Sequence, residues 1–345
     1  MARTTNDNNL KPVIDAYQQW IRDCLVGDGS IFSSASLWTL EHVAEVKKSF
    51  VDHPDTGPDD FPTKLNRQMK NASATAKQLM AEMLWALLAW PTSEQISVQT
   101  KVEQIEGVWS LSGAVLPKSS PMLSEEVLDG IGSGGIGYNN NRWRELTFLI
   151  ELTSYLKQRT STDREKLFSD YQAFLDWMEQ VPMVGNRQFR HMLRYVAFPD
   201  RVERMSSNGE RHAVLAGYGI APKKETKKWT DGQLDGALFK LRQKLQDEYP
   251  GKILDFYEPP LRDKWRSSND SEISFNVADC QAFGRYPNSV PWAQVVSNDQ
   301  ESFKSIRTRL KHLADAMAAR GSSGLPLKSE TSHPTPNGRS PREIW

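Results

Sequence analysis

The densest run of side chains capable of chemistry is RQFRHMLRYVAFPDRVERM, residues 187–205. On a helix, Phe189, Met192, Leu193 and Val196 form one apolar stripe. Arg187, Arg190, His191 and Arg194 fall at offsets of 0, 3, 4 and 7 and share another face. Arg201, Arg204, Arg211, Lys223, Lys224, Lys227 and Lys228 follow. Residues 185–228 hold ten Lys and Arg against four Asp and Glu, a local excess of six positive charges. A row of cations of this kind neutralises phosphates and releases their counterions, which gives nucleic-acid affinity that falls with salt. The same row equally suits a solvated face paired to acids elsewhere in the protein, and residues 41–60 offer six acids against two lysines.

A second constellation is glycine-rich. Gly132-x-Gly134-x-x-Gly137 matches the form of a dinucleotide fingerprint. That fingerprint needs a preceding strand and a surrounding βαβ unit, whereas a short helix near residues 124–128, capped by Ser124, precedes the glycines here. One reading is a turn that lets helices pack closely. The other is an anion site: Asn139, Asn140, Asn141, Arg142 and Arg144 occupy the start of the following helix, where free backbone amides and two guanidinium groups suit a phosphate.

Other reactive patterns are missing from the sequence. The six histidines form no HExxH, the two cysteines, Cys24 and Cys280, form no CxxC, and there is neither a GxSxG elbow nor a GxxxxGK[ST] loop. Asp255 and Glu258 lie near a di-proline, without the clustered acids and lysine of a nuclease. No catalytic residue, metal site or cofactor is therefore expected of this chain.

The elements that would carry these groups are mostly helical. Apolar spacing predicts helices over residues 11–25, 36–51 and 142–158, and over 187–198. Residues 74–90 are apolar on nearly every side, as a central helix would be. A helix over 163–179 opens with Thr162-x-x-Glu165, and one over 230–248 opens with Thr230-x-x-Gln233, both of capping-box form. The segment around Val115 reads as core. Residues 271–296 suggest a small β element, residues 300–320 a last helix, and residues 321–341 a flexible linker. The division expected is an N-terminal helical part at 1–120, a part carrying the glycine loop and basic helix at 121–265, a small mixed segment at 266–320, and the linker at 321–345. The fold class is mainly α.

Composition sets the outer limits. The 345 residues carry 43 basic and 43 acidic side chains, so no global field draws in nucleic acid or membrane, and any such partner must be met locally. The longest apolar run is about 12 residues, short of the roughly 20 that a bilayer requires. Few cysteines and a polar start suit a cytoplasmic protein with reduced thiols. The eleven tryptophans suit core and interface packing first and ligand stacking second.

Four blocks carry a resemblance: AKQLMAEMLW at 76–85, GIGSGGIGYNNNRWRELTFLIELTSYLK at 130–157, RQFRHMLRYVAFPDRVERM at 187–205 and DFYEPPLRDKW at 255–265. Together they resemble the N-terminal region of McrB-like AAA+ proteins of modification-dependent restriction and phage defence, over roughly residues 70–265. The resemblance implies a specificity region ahead of a downstream AAA+ module, with nucleotide hydrolysis and cleavage supplied by that module and a partner nuclease. The closing Arg342–Trp345 looks like the first strand of a further module, which makes the chain look like the front of a longer protein. The expected function is non-catalytic recognition of DNA, modified or not, through Arg187, Arg190, Arg194, Arg201 and Arg204 with Lys223, Lys224, Lys227 and Lys228 as a basic rim. The rival expectation is a protein-interaction module that senses a phage protein or docks the nuclease or AAA+ subunit.

Overall fold

A computed structural model describes residues 10–182 and 187–266. Within them the chain is mainly α-helical, without a sheet. The single β-type contact among the described residues is an isolated bridge between Pro91 and Gly132. None of the described helices is long and apolar enough to cross a membrane. The β element expected at 271–296, the helix at 300–320 and the linker lie outside the described residues.

Helix α4 (Ala74–Leu88) is the centre, as its all-round apolar sequence requires. Ser73 caps it, and Glu45 accepts from both the backbone and the hydroxyl of Ser73. Around α4 pack α2 (Leu40–Val46), α5 (Val98–Ser110) and α8 (Arg142–Lys157). Helix α1 (Lys11–Trp20) runs on as a π-helical turn through Val26. Its Tyr17 hydroxyl donates to the Ala86 carbonyl of α4 at 2.6 Å. One buried apolar cluster extends from Val13 to Val202 and takes in residues on both sides of position 120. A second, from Met205 to Leu261, gathers Val214, Leu215, Leu234, Leu238, Leu241, Leu245 and Phe256. Six of the nine described tryptophans are buried.

Several expected details are corrected. The helix expected at 36–51 starts at Leu40, capped by Thr39, and Leu40 itself is 45% exposed. Val115, read as core, is 88% exposed, and its neighbour Leu116 takes the buried place. The helix expected over 163–179 is two helices, α9 (Ser161–Ser169) and α10 (Tyr171–Met178). Asp170 breaks the run: its backbone is extended, and its carboxylate accepts from the amides of Gln172 and Ala173 to cap α10. The cap of α9 is Thr160, not Thr162. The Ser124 cap of α6 (Glu125–Leu128) and the Thr230–Gln233 capping box of α14 (Asp231–Glu248) form as expected.

One buried carboxylate ties a long connection to the core. Glu82 of α4 accepts from the indole of Trp38 at 2.6 Å, from the Phe32 amide at 3.3 Å and from the Ser30 hydroxyl. Burial pushes its pKa up to about 7, against the pull of those donors. On the same connection, the Asp28 carboxylate meets Lys157 and Arg164, each at 2.8 Å.

Candidate nucleic-acid interface

Helix α11 (Gln188–Ala197) buries Phe189, Met192, Leu193 and Val196, as their spacing predicts. Its N-terminal amides, at Gln188 and Phe189, donate to the buried carboxylate of Glu145 on α8. The basic face is a correction: it is turned inward. Arg194 is 1% exposed and His191 2%. The partners come from α14 and from α12 (Asn208–Gly217). Asp231 takes Arg194 at 2.5 Å, Arg211 at 2.9 Å and also Arg190. Asp235 takes Arg211, Arg194 at 3.3 Å and the Tyr171 hydroxyl at 2.5 Å.

The local sequence explains this convergence. Asp231 and Asp235 stand one turn apart at the start of α14, where the helix dipole favours negative charge and where the capping box fixes the entry of the chain. Arg190 and Arg194 stand one turn apart on α11, so the two pairs meet in register. His191 Nδ1 accepts from Arg194 at 2.8 Å and from Arg211 at 3.3 Å. Guanidinium groups only donate, so this imidazole is neutral with its proton on Nε2. Burial and the arginines beside it hold its pKa well below the usual histidine range. Burial works to raise Asp235, but Arg194 and Arg211 keep its carboxyl below the usual range.

The remaining expected contacts fall into three settings. Arg204 bonds Asp255 at 2.6 Å, donates to the Ile131 carbonyl and lies over the Tyr257 ring. Arg201 is exposed and stacks over Tyr171 and Phe239 at 5.2 and 5.6 Å. Arg187 is half-buried at the N-terminus of α11, near Glu145. Lys223, Lys224, Lys227 and Lys228 are exposed on and after α13 (Lys223–Thr226), and none pairs with a carboxylate among the described residues. Asp231, Asp235 and Asp255 thus offset about half of the local positive excess within the fold, and the acids of 41–60 take no part. Those serve their own neighbourhood: Asp55 and Asp59 take Arg67, and Asp60 caps α3 (Phe61–Met69).

The second expected site does not assemble around one point. Helix α7 (Gly135–Asn140) ends at Asn141, whose amide group donates to the Gly137 carbonyl at 3.0 Å. Asn140 is exposed, and the side chain of Asn139 lies outside the described residues. Arg142 bonds Gln104 at 2.7 Å, while Arg144 lies over Trp143, itself 47% exposed. The glycines have a packing role. Gly130 has φ +86, and a Cβ there would sit 2.1 Å from the Pro91 carbonyl oxygen. A Cβ on Gly132 would press on the Arg204 guanidinium at 2.9 Å.

Sequence reasoning missed Asp231, Asp235 and Tyr171, and it missed a groove of about 730 Å³. Ile220, Trp229 and seven α14 residues line that groove, among them Gly232, Gly236, Lys240 and Lys244. Their spacing of four along α14 is legible in the sequence, but only the fold brings Trp229 to them. The accessible cations beside the groove are therefore lysines, gathered along 223–244. No protein-family model, curated protein or solved structure matches this chain.

Proposed function

We propose that this chain is the non-catalytic recognition region of a McrB-like restriction or anti-phage defence protein and that it contacts DNA through Lys223, Lys224, Lys227 and Lys228. The four sequence blocks support the family context. In that context nucleotide hydrolysis and cleavage fall to an AAA+ module and a partner nuclease in the cytoplasm. The observation that carries the DNA contact is the sorting of charge: Arg190, Arg194, Arg204 and Arg211 pair with aspartates, while Lys223, Lys224, Lys227 and Lys228 stay in water without a carboxylate partner among the described residues. Lysines held in water without acidic partners remain available to phosphates.

Fluorescence anisotropy of the full chain with a short labelled duplex tests this at about 50 and 200 mM salt. Joint replacement of Lys223, Lys224, Lys227 and Lys228 by Gln should weaken binding and flatten the salt slope, by up to about 0.9 for each phosphate that is no longer neutralised. Stability should stay within about 0.5 kcal/mol, since these are exposed positions. Binding and slope that survive the replacement would refute the assignment.

A further inference from the structure

The groove beside these lysines has features that a purely electrostatic surface does not need. Trp229 is half-buried: it packs on the second apolar cluster, and its indole N–H bonds to no described residue. The indoles of Trp20, Trp90, Trp109 and Trp177 also lack a partner but are buried in the core, whereas Trp229 lines the groove. On the same groove, α14 presents glycine where a side chain would ordinarily fill the space. A Cβ on Gly236 would meet nothing within 4 Å, so the groove stays open at that point. One turn further, Lys240 stands exposed on the groove wall, and Lys244 follows it with Glu248 at 3.8 Å. An open space with an indole on its lining and ammonium groups along its length suits a flat ring attached to an anionic backbone.

We propose that this groove takes an unpaired nucleic-acid strand, with one base against Trp229 and the phosphates passing Lys240 and Lys244; this rests on the nucleic-acid reading above. An unpaired strand is favoured over a duplex because stacking needs the face of a base. Paired bases spend their faces on one another and offer only edges, whereas a free strand offers every ring. An acidic peptide would match the lysines but would make no use of the indole or of the space over Gly236. The site selects for strandedness and not for sequence, because each base has a π-face of similar size.

The test uses the full chain, a labelled oligothymidine of about 16 nucleotides and a duplex of the same length at about 50 mM salt. The oligothymidine should bind more tightly than the duplex. Gly236→Phe fills the groove while every lysine is retained, and it replaces glycine inside a helix, which raises helix propensity. It should weaken the single strand about 5- to 150-fold, the range expected when one base can no longer stack, and leave the duplex unchanged. Trp229→Ala should do the same and Trp229→Phe should restore most of the affinity. If Trp229→Ala fails to fold, Gly236→Phe decides alone. Failure of both probes to bind overturns the nucleic-acid reading and this inference with it. Binding that responds to the lysine replacements but not to Gly236→Phe overturns the groove alone. Duplex binding as tight as single-strand binding, or equal competition by polyglutamate, also overturns it.

Discussion

Replacing Asp235 by Asn is the sharpest test of the inward-facing arginines. The substitution keeps the volume, so no cavity forms and the measured loss reports charge. Asp235 is 2% exposed and faces two guanidinium groups, of Arg194 and Arg211, that are each 1% exposed, with Tyr171 donating to it as well. At the 3.3 Å separation of Arg194 from Asp235, one such attraction amounts to about 5 kcal/mol at an effective dielectric of 20. Relief of the carboxylate's own desolvation offsets part of this. Stranding buried positive charge leaves a net loss of about 3–5 kcal/mol, a large share of the roughly 5–15 kcal/mol that holds a typical protein folded. Urea unfolding followed by tryptophan fluorescence should show that loss with an unchanged slope, and the melting temperature should drop by about 6–20 °C. Lys227→Gln, an exposed control, should move stability by less than about 0.5 kcal/mol. A loss below about 1 kcal/mol for Asp235→Asn, with helicity intact, would refute the buried network and return Arg190 and Arg194 to the surface.

Two further outcomes follow from groups outside the network. Burial raises the folded pKa of Glu82 to about 7, above its unfolded value, so its contribution is fully present below about pH 4.5 and is lost as pH rises through 7. Unfolding free energy should decline by about 3 kcal/mol across that window, and Glu82→Gln should flatten the decline; an unaltered pH profile in the variant would count against Glu82 as its source. Gly130→Ala places a methyl into the Pro91 carbonyl at positive φ, whereas Gly135→Ala is also at positive φ but meets nothing within 4 Å. The first should cost at least about 2 kcal/mol and clearly more than the second; equal losses in denaturant titrations would exclude the close approach.

Sequence patterns were a good guide wherever the cause is local. The all-round apolar α4, the Ser124 cap and the Thr230–Gln233 box each rest on residues within a few positions of one another, and each forms as read. The basic face of α11 shows where such reading stops. Periodicity says that Arg190 and Arg194 share a face, but not whether that face meets water. The answer lies in Asp231 and Asp235, far along the chain, whose pairing depends on how α14 packs. Asp170 shows a subtler limit: a single carboxylate ends one helix and caps the next inside a run that is helical by spacing alone. Leu40 and Val115 are apolar by type and exposed by position, Leu40 at the first residue of α2 and Val115 in the irregular stretch after α5.

The ion network also decides how the two apolar clusters belong together. Arg190 and Arg194 ride on a helix of the first cluster, while Arg211, Asp231 and Asp235 ride on helices of the second. The seam between them is therefore held by opposite charge, and neither side of the network is neutral by itself. Severed between the clusters, the first half would carry a cationic scar that the whole molecule never displays, and the second half an anionic one. Any affinity of an isolated half for polyanions would then be a property of the cut, which is why only the undivided chain can report on what its lysines do.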